Sequence, residues 1–105
     1  MSQIRLLYST VGSIEDAEKI ADNLVRERVA ACVGFVPRIT SVYRWKGRIE
    51  RETETMLIIK TAADRVDAAM ARLRELHPYE VPEIVVIPVE RASESYCDWV
   101  LAETR

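Results

Sequence analysis

The sequence predicts an α+β sandwich with the element order βαββαβ and an additional helix at the C-terminus. Strand-like and helix-like segments alternate along the whole chain, and no linker or low-complexity tract separates them. Two amphipathic helices are each flanked by strands, and a long hairpin lies between the two halves. This order is the ferredoxin-like pattern, an antiparallel sheet with both main helices on one face. We expect residues 1–105 to form a single domain of this class, because the length suits one hydrophobic core.

The first strand and the first helix are predicted from residues 4–25. Residues 4–9 (IRLLYS) have the apolar composition of a strand, and residues 10–12 are expected to end it. Ser13 is a typical helix N-cap, and acidic residues follow in the first turn, where the helix dipole favours negative charge. One apolar stripe then runs along the helix at spacings of three and four residues: Ile14, Ala17, Ile20, Ala21, Leu24 and Val25.

A long hairpin between the second and third strands is predicted from residues 30–59. Residues 30–35 and 39–45 are strand-like, and Pro37 indicates a bend or a sheet edge, since proline cannot donate to a strand ladder. Gly47 supplies the positive φ of a tight turn. The return strand starts polar and becomes apolar, so we expect its three alternating carboxylates to be solvated: Glu50, Glu52 and Glu54.

The second half of the chain is predicted to repeat the helix and the strand. Asp64 is expected to cap a helix that ends at His77, because the residue before Pro78 disfavours helical geometry. Residues 83–89 (EIVVIPV) form a near-continuous apolar run, which predicts a strand buried on both faces. Ser93 is expected to cap the C-terminal helix, whose apolar side carries Tyr96, Trp99 and Val100.

Composition limits the classes of function. The 15 Lys and Arg residues nearly balance the 17 Asp and Glu residues, giving a formal net charge of -2. Nucleic-acid binders usually carry a basic excess, so no nucleic-acid partner is expected. No apolar run approaches the ~20 residues that span a bilayer, so no membrane is expected. The two cysteines, Cys32 and Cys97, are too few for a disulfide framework and predict a cytoplasmic protein.

The predicted sheet leaves two edges and one face uncovered, and natural proteins cover or blunt such edges. We therefore expect a homo-oligomer formed through the sheet edges and the long hairpin, and a cyclic trimer is one assembly that fits. Tyr43 and Trp45 point the same way along one strand, and we expect them to pack between subunits.

Three residues form a candidate metal site. Cys32 follows the first helix, whereas His77 and Glu83 flank two prolines. Thiolate, imidazole and carboxylate are ligands of Cu and Zn, and a Cys–His pair favours Cu(I) or Zn. Structural roles stay open for each: Cys32 as a small buried hydrophobe, His77 as a residue whose ring bonds the last helical carbonyls, and Glu83 as a partner of Arg or Lys.

Several motifs follow one another along the chain. They are residues 30–33 (AACV), residues 41–47 (SVYRWKG), residues 60–61 (KT) and residues 77–83 (HPYEVPE). In this order they resemble the CutA divalent-cation-tolerance proteins, and the similarity runs from Ile4 to Trp99. The resemblance implies a ferredoxin-like subunit, a homotrimer built through the sheets, unusual thermal stability and no catalytic activity.

The resemblance also implies a link to copper and other divalent metals, with copper binding by some members. The copper site described for the family uses a cysteine at the end of the first strand, where this chain has Ser9. It also uses two adjacent histidines before the proline, where this chain has Leu76 and His77. Only His77 matches, so we expect weak binding of copper or another divalent cation and no organic cofactor.

Three functions stay open from the sequence. The first is a trimeric, non-enzymatic protein of divalent-cation tolerance. The second is a small-molecule-binding signalling trimer that resembles the nitrogen-regulatory PII proteins, with ligands in clefts between subunits. The third is a scaffolding trimer with an indirect effect on metal tolerance. An enzyme is the least favoured class, because the chain has no P-loop, GxGxxG, CxxC, HExxH or GxSxG motif.

Overall fold

The computed structural model describes all 105 residues and contains one four-stranded sheet, three α-helices and one short 3-10 helix. The strands are β1 (Ile4–Val11), β2 (Cys32–Trp45), β3 (Arg48–Ala62) and β4 (Val85–Pro88). The helices are α1 (Ile14–Arg26), α2 (Val66–Leu76) and α3 (Glu94–Glu103), with the 3-10 turn at Ala63–Arg65. The strands lie in the order β2-β3-β1-β4, and each neighbouring pair is antiparallel. The predicted α+β, ferredoxin-like fold is confirmed.

The main hydrophobic core lies between the sheet and helices α1 and α2. Successive residues of a strand face opposite sides of the sheet, so Leu7, Leu57 and Ile59 share the face that packs on the helices. The helices contribute Ala17, Ile20, Leu24, Ala69 and Leu73 to the same core. The apolar stripe of α1 is therefore confirmed, except that Ile14 and Val25 at its margins are exposed.

The helix ends follow the sequence only in part. Ser13 caps α1 as predicted, since its hydroxyl oxygen accepts a hydrogen bond of 3.1 Å from the Asp16 N–H. The prediction that Asp64 caps α2 is wrong, because the chain turns there through the 3-10 helix and Arg65 occupies the N-cap position. Ser93 does stand at the N-cap of α3, but its side chain makes no capping hydrogen bond. None of the three helices combines the length and the apolar character that a membrane crossing needs.

The hairpin of β2 and β3 has both the predicted turn and the predicted bend. Lys46 and Gly47 form a two-residue turn with φ of 49° and 79°, as a type I′ turn requires. At the bend, Pro37 and Arg38 face the single residue Thr55, which makes a β-bulge. Thr55 is also the last partner of β1, so residues 39–54 beyond it pair only with each other. They form a two-stranded ribbon, and the chain extends over 45 × 26 × 22 Å.

Two strands differ in extent from the prediction. β1 runs on to Val11, because the chain beyond residue 9 keeps pairing with β3. β4 covers only residues 85–88 and pairs with β1 alone, so it is an edge strand. The prediction that residues 83–89 are buried on both faces is therefore wrong for the single chain: the exposed fractions are 42% for Val85, 37% for Val86 and 44% for Ile87.

The face of the sheet opposite α1 and α2, called the open face below, is covered only at one end. There α3 packs Val100 against Ile4 and Ala31, and the Lys60 ammonium lies 6.0 Å from the centroid of the Tyr96 ring.

Eight large hydrophobic side chains on the strands are exposed: Val36, Val42, Tyr43, Trp45, Ile49, Val85, Val86 and Ile87. The accessible surface is 6561 Å², against about 6,000 Å² for a compact monomer of this mass. The chain thus exposes a large amount of apolar strand surface.

Replacing Leu24 by alanine tests the position of the core, because Val25 on the same helix offers a matched control. Leu24 is fully buried, whereas Val25 is exposed. We expect Leu24→Ala to lower the free energy of unfolding by about 2–5 kcal/mol, since it removes buried methyl groups and leaves a cavity. Val25→Ala should lower it by less than about 1 kcal/mol. Urea titration followed by circular dichroism measures both, and equal losses would contradict the assignment of the core.

Candidate functional site

A groove of about 800 Å³ lies between the ribbon and the loop that joins α2 to β4. Its ionisable acids are four carboxyl side chains: Glu52, Glu54, Glu80 and Glu83. Its aromatic side chains are Tyr43, Trp45 and Tyr79, and no Lys, Arg or His lines it. Such a lining attracts positively charged ligands and repels anions.

Glu54 is buried, contrary to the expectation that all three alternating carboxylates of β3 are solvated. It is 7% exposed, and its Oε2 accepts a hydrogen bond of 2.7 Å from the Tyr79 hydroxyl. The burial follows from its position, because Glu54 pairs with Ile39, the first residue of β2 after the bulge, where the ribbon joins the sheet. No Lys, Arg or His side chain forms an ion pair with Glu54. Its charge therefore has no compensating cation in the chain.

His77 fixes the start of the groove-lining loop with both of its ring nitrogens. Nε2 donates to the carbonyl oxygen of Thr10 at 2.8 Å, and the Tyr79 N–H donates to Nδ1 at 3.2 Å. A carbonyl oxygen only accepts, so these bonds assign the neutral Nε2–H tautomer. Burial lowers the pKa of His77 and so favours the same neutral form. The ring thus bonds a carbonyl of β1, not the last carbonyls of its own helix, and it positions Tyr79.

Two tyrosines that line the groove, Tyr43 and Tyr79, have raised pKa values, and so does Tyr8 outside the lining. Burial and then the hydrogen bond to Glu54 raise the pKa of Tyr79. Burial, followed by the charges of nearby glutamates, also raises the pKa of Tyr8 and the pKa of Tyr43. All three phenols therefore remain hydrogen-bond donors at neutral pH.

The three predicted metal ligands do not meet within one chain. Cys32 lies on the edge strand β2, level with Leu6 of β1. His77 bonds to Thr10, which is four residues or ~13 Å further along β1. Glu83 precedes β4 at the opposite edge of the sheet. No group of three or more His, Cys, Asp or Glu side chains in the chain is arranged to hold a metal ion.

The three predicted metal ligands also differ in whether their ligand atoms are free to bind a metal ion. His77 has no free ring nitrogen, because both are hydrogen-bonded within the chain. The thiol of Cys32 is free and half-buried, so the side chain is not the fully buried hydrophobe that was one alternative. Glu83 is exposed and forms no ion pair with Arg or Lys. Only Cys32 and Glu83 thus keep atoms that a metal ion can reach.

The sequence pattern does not identify the central residue of the groove. Residues 77–83 stand out as a motif, but Glu54 does not. Its alternation with Glu50 and Glu52 along β3 predicts that it is solvated as they are. One signal does distinguish Glu54, since it is the last carboxylate before the apolar half of β3. The loop that covers it lies 25 residues away in sequence, at Tyr79. The sequence alone does not show that this loop returns to the hairpin.

The pKa of His77 predicts how the stability of the fold depends on pH. Burial lowers the pKa in the folded chain below the 6.5 of an unfolded histidine, so the unfolded chain binds a proton first as the pH falls. The stabilisation is present above pH 6.5 and is lost as the pH falls from there towards the folded pKa. His77→Gln removes the titrating ring, so its melting temperature should depend less on pH between about 7 and 5. Thermal melts across this range measure the difference, and parallel curves for the two proteins would contradict it.

Several known proteins similar to this chain carry the name CutA. The family model described as CutA1 divalent ion tolerance protein matches residues 5–103. The Divalent-cation tolerance protein CutA of Thermus thermophilus is 44% identical over 95 residues, which are 90% of this chain and 92% of that protein. The Protein CutA homolog of Xenopus laevis is 43% identical over 93 residues, 89% of this chain. These residues are 62% of the Xenopus protein, so the chain spans less than two thirds of that relative.

A solved structure agrees with the family model. The crystal structure of CutA from Xylella fastidiosa matches with a TM-score of 0.96 and 42% identity, over 99% of this chain and 100% of that chain. The relatives differ in location, since one from Arabidopsis thaliana is named chloroplastic and one from Archaeoglobus fulgidus is described as periplasmic. Because the family model covers nearly the whole chain and the relatives match it along their sequence and fold, the chain belongs to the CutA1 divalent ion tolerance family.

Proposed function

We propose that the chain is the subunit of a trimeric, non-enzymatic protein of divalent-cation tolerance, which binds copper or another divalent cation weakly. The observation that carries the proposal is its membership in the CutA1 family over residues 5–103. A cytoplasmic location stays a prediction from the sequence.

The exposed strand surface supports an assembly of several copies. β4 is a short edge strand with apolar side chains, and its outer edge has no partner strand. Unpaired edges of this kind pair readily with another chain. The ribbon of residues 39–54 adds further exposed apolar side chains, and a two-stranded ribbon is only marginally stable by itself. The number three follows from the resemblance to the family.

A cation site between copies is consistent with where the free ligand atoms lie. Cys32 and Glu83 are at opposite edges of the sheet, three strand spacings or ~14 Å apart across it. Packing the β2 edge of one copy beside the β4 edge of another, with the two strands offset along their length, would bring a thiolate and a carboxylate together. Thiolate and carboxylate with two further ligands, such as water, suit Zn, and the thiolate also suits copper. A site with two protein ligands is expected to be weak.

Two other functions keep a specific observation in their favour. A scaffolding trimer, with an indirect effect on metal tolerance, is favoured by the structural use of both His77 nitrogens. A small-molecule-binding trimer of the PII-like kind is favoured by the volume of the groove. The four carboxylates of the groove disfavour nucleotides as its ligands.

Calorimetric titration of the protein with Zn²⁺, which is redox-inert, and then with Cu²⁺ tests the cation site. We expect Cys32→Ala and Glu83→Gln each to weaken binding at least about tenfold, because each removes a ligand. His77→Gln is the control, and it should change the affinity less than about threefold, since its ring nitrogens are already bonded within the chain.

Undiminished affinity in both Cys32→Ala and Glu83→Gln would contradict this site. If the unaltered protein binds neither ion but still confers metal tolerance on cells, direct cation binding is contradicted and an indirect effect, such as that of a scaffolding trimer, is favoured. A circular dichroism spectrum of each variant shows whether the subunit is folded.

A further inference from the structure

The ribbon of residues 39–54 carries opposite charges on its two faces. Residues that pair directly across the ribbon share a face, and successive residues of each strand alternate between the faces. Glu50, Glu52 and Glu54 therefore lie on one face, which is the face towards the groove because Glu52 and Glu54 line it. Arg44 and Arg51 lie on the opposite face, and no acidic residue of the ribbon shares that face with them.

We propose that the face with Arg44 and Arg51, called the basic face below, packs into the acidic groove of a neighbouring copy of this chain. The contact is head-to-tail, because the basic face of each copy lies on the groove of the next. Contacts of this kind close into a ring when the rotation between copies allows it. The inference rests on the proposed assembly of several copies, and it adds which surfaces of the copies meet.

The charges of the two surfaces are complementary, and neither set is neutralised within the chain. Arg44 and Arg51 are exposed, and neither forms an ion pair. The lining of the groove contains no Lys, Arg or His. Glu54 already accepts a hydrogen bond within the chain, whereas Glu52 and Glu80 are exposed and form no ion pair. Guanidinium groups of one copy would therefore find free carboxylates on the next, with which they form charge-assisted hydrogen bonds.

The apolar side chains of the two surfaces are also complementary. On the basic face, Ile49 lies directly opposite Arg44 and is 63% exposed. In the groove, the rings of Tyr43 and Trp45 are about two-fifths exposed. Packing Ile49 against these rings would remove apolar surface of both copies from water. The rings also attract guanidinium groups through their negative faces. Each surface thus offers the apolar and the charged groups that the other lacks.

A contact of each face with its own counterpart is unfavourable. It would place carboxylate against carboxylate or guanidinium against guanidinium, and like charges opposed across an interface are destabilising. The two faces also point in opposite directions, so each is covered by a different neighbour. The groove lies beside residues 79–83, which lead into β4, whereas the ribbon extends β2 and β3. The contact therefore joins the β2 side of one copy to the β4 side of the next, as the proposed cation site does.

Charge reversal tests the contact, with the rate of subunit exchange as the readout. Isotope-labelled and unlabelled copies of each protein are mixed, and native mass spectrometry follows the appearance of mixed assemblies. One variant combines Arg44→Glu with Arg51→Glu and reverses the basic face. A second combines Glu52→Arg with Glu80→Arg and reverses the groove. A third carries all four substitutions and exchanges the charges of the two surfaces.

We expect exchange to be at least about tenfold faster in each reversed pair, because like charges then face each other across the contact. The variant with all four substitutions should exchange within about threefold of the unaltered protein, since the charges again attract. The matched control is Lys19→Glu with Arg74→Glu, which reverses two exposed cations on α1 and α2. It should change the rate less than about twofold. Added salt should speed exchange of the unaltered protein.

Two results would overturn the proposal. The first is that neither reversed pair exchanges faster than the control, and the second is that the four substitutions together do not restore slow exchange. Either result in a protein that assembles would reject only the contact between these faces and leave the proposed assembly intact. An unaltered protein that is monomeric at 12.0 kDa would instead contradict the assembly itself. Complete dissociation of a reversed pair that keeps the circular dichroism spectrum of the folded chain counts as faster exchange.

Discussion

Helices α1 and α2 pack on one face of the sheet only. Helix α3 and the ribbon are therefore held by contacts outside the main core. The core contains alternate residues of β1 and β3, such as Leu7 and Ile59, while their neighbours face the open side. Only α3 covers that side, and only at one end. The ribbon has no helix at all and depends on its own pairing. The single chain therefore has a packed core between the sheet and the two helices, but it leaves apolar strand surface exposed.

The junction of the sheet and the ribbon is held by polar contacts instead of core packing. His77 at the end of α2 bonds to Thr10 of β1 and to the backbone of Tyr79. Tyr79 in turn donates to Glu54 of β3. These bonds tie three elements together and bury a carboxylate that has no cation of its own. Burying a carboxylate without a cation is unfavourable unless hydrogen bonds replace the lost water, and the Tyr79 hydroxyl supplies one such bond.

Most of the fold is predictable from local signals in the sequence. These are the spacing of the hydrophobic residues, the residues that favour tight turns and the positions of the prolines. The stripe of α1, the Lys46-Gly47 turn and the bend at Pro37 depend on residues within a few positions of one another, and all three are confirmed. Asp64 illustrates the limit of such local signals. It has the chemistry of an N-cap, but it lies within the 3-10 turn of Ala63–Arg65, so α2 begins only at Val66.

The groove is less predictable, because its members come from parts of the sequence that only the fold brings together. The burial of Glu54 depends on the return of the loop at Tyr79, and the role of His77 depends on the carbonyl of Thr10. The opposite error occurs at β4. Its continuous apolar run predicts buried side chains, but they are exposed in the single chain. In the proposed assembly that run would be buried between copies, as its apolar sequence predicts.

We propose that the open face and the sheet edges are interfaces between copies of this chain. Light scattering coupled to size-exclusion chromatography, at micromolar concentration and neutral pH, tests it most directly. We expect one species of about 36 kDa, three times the 12.0 kDa of the chain, that persists on tenfold dilution. A single species of 12.0 kDa that stays folded with the same exposed strands would contradict it.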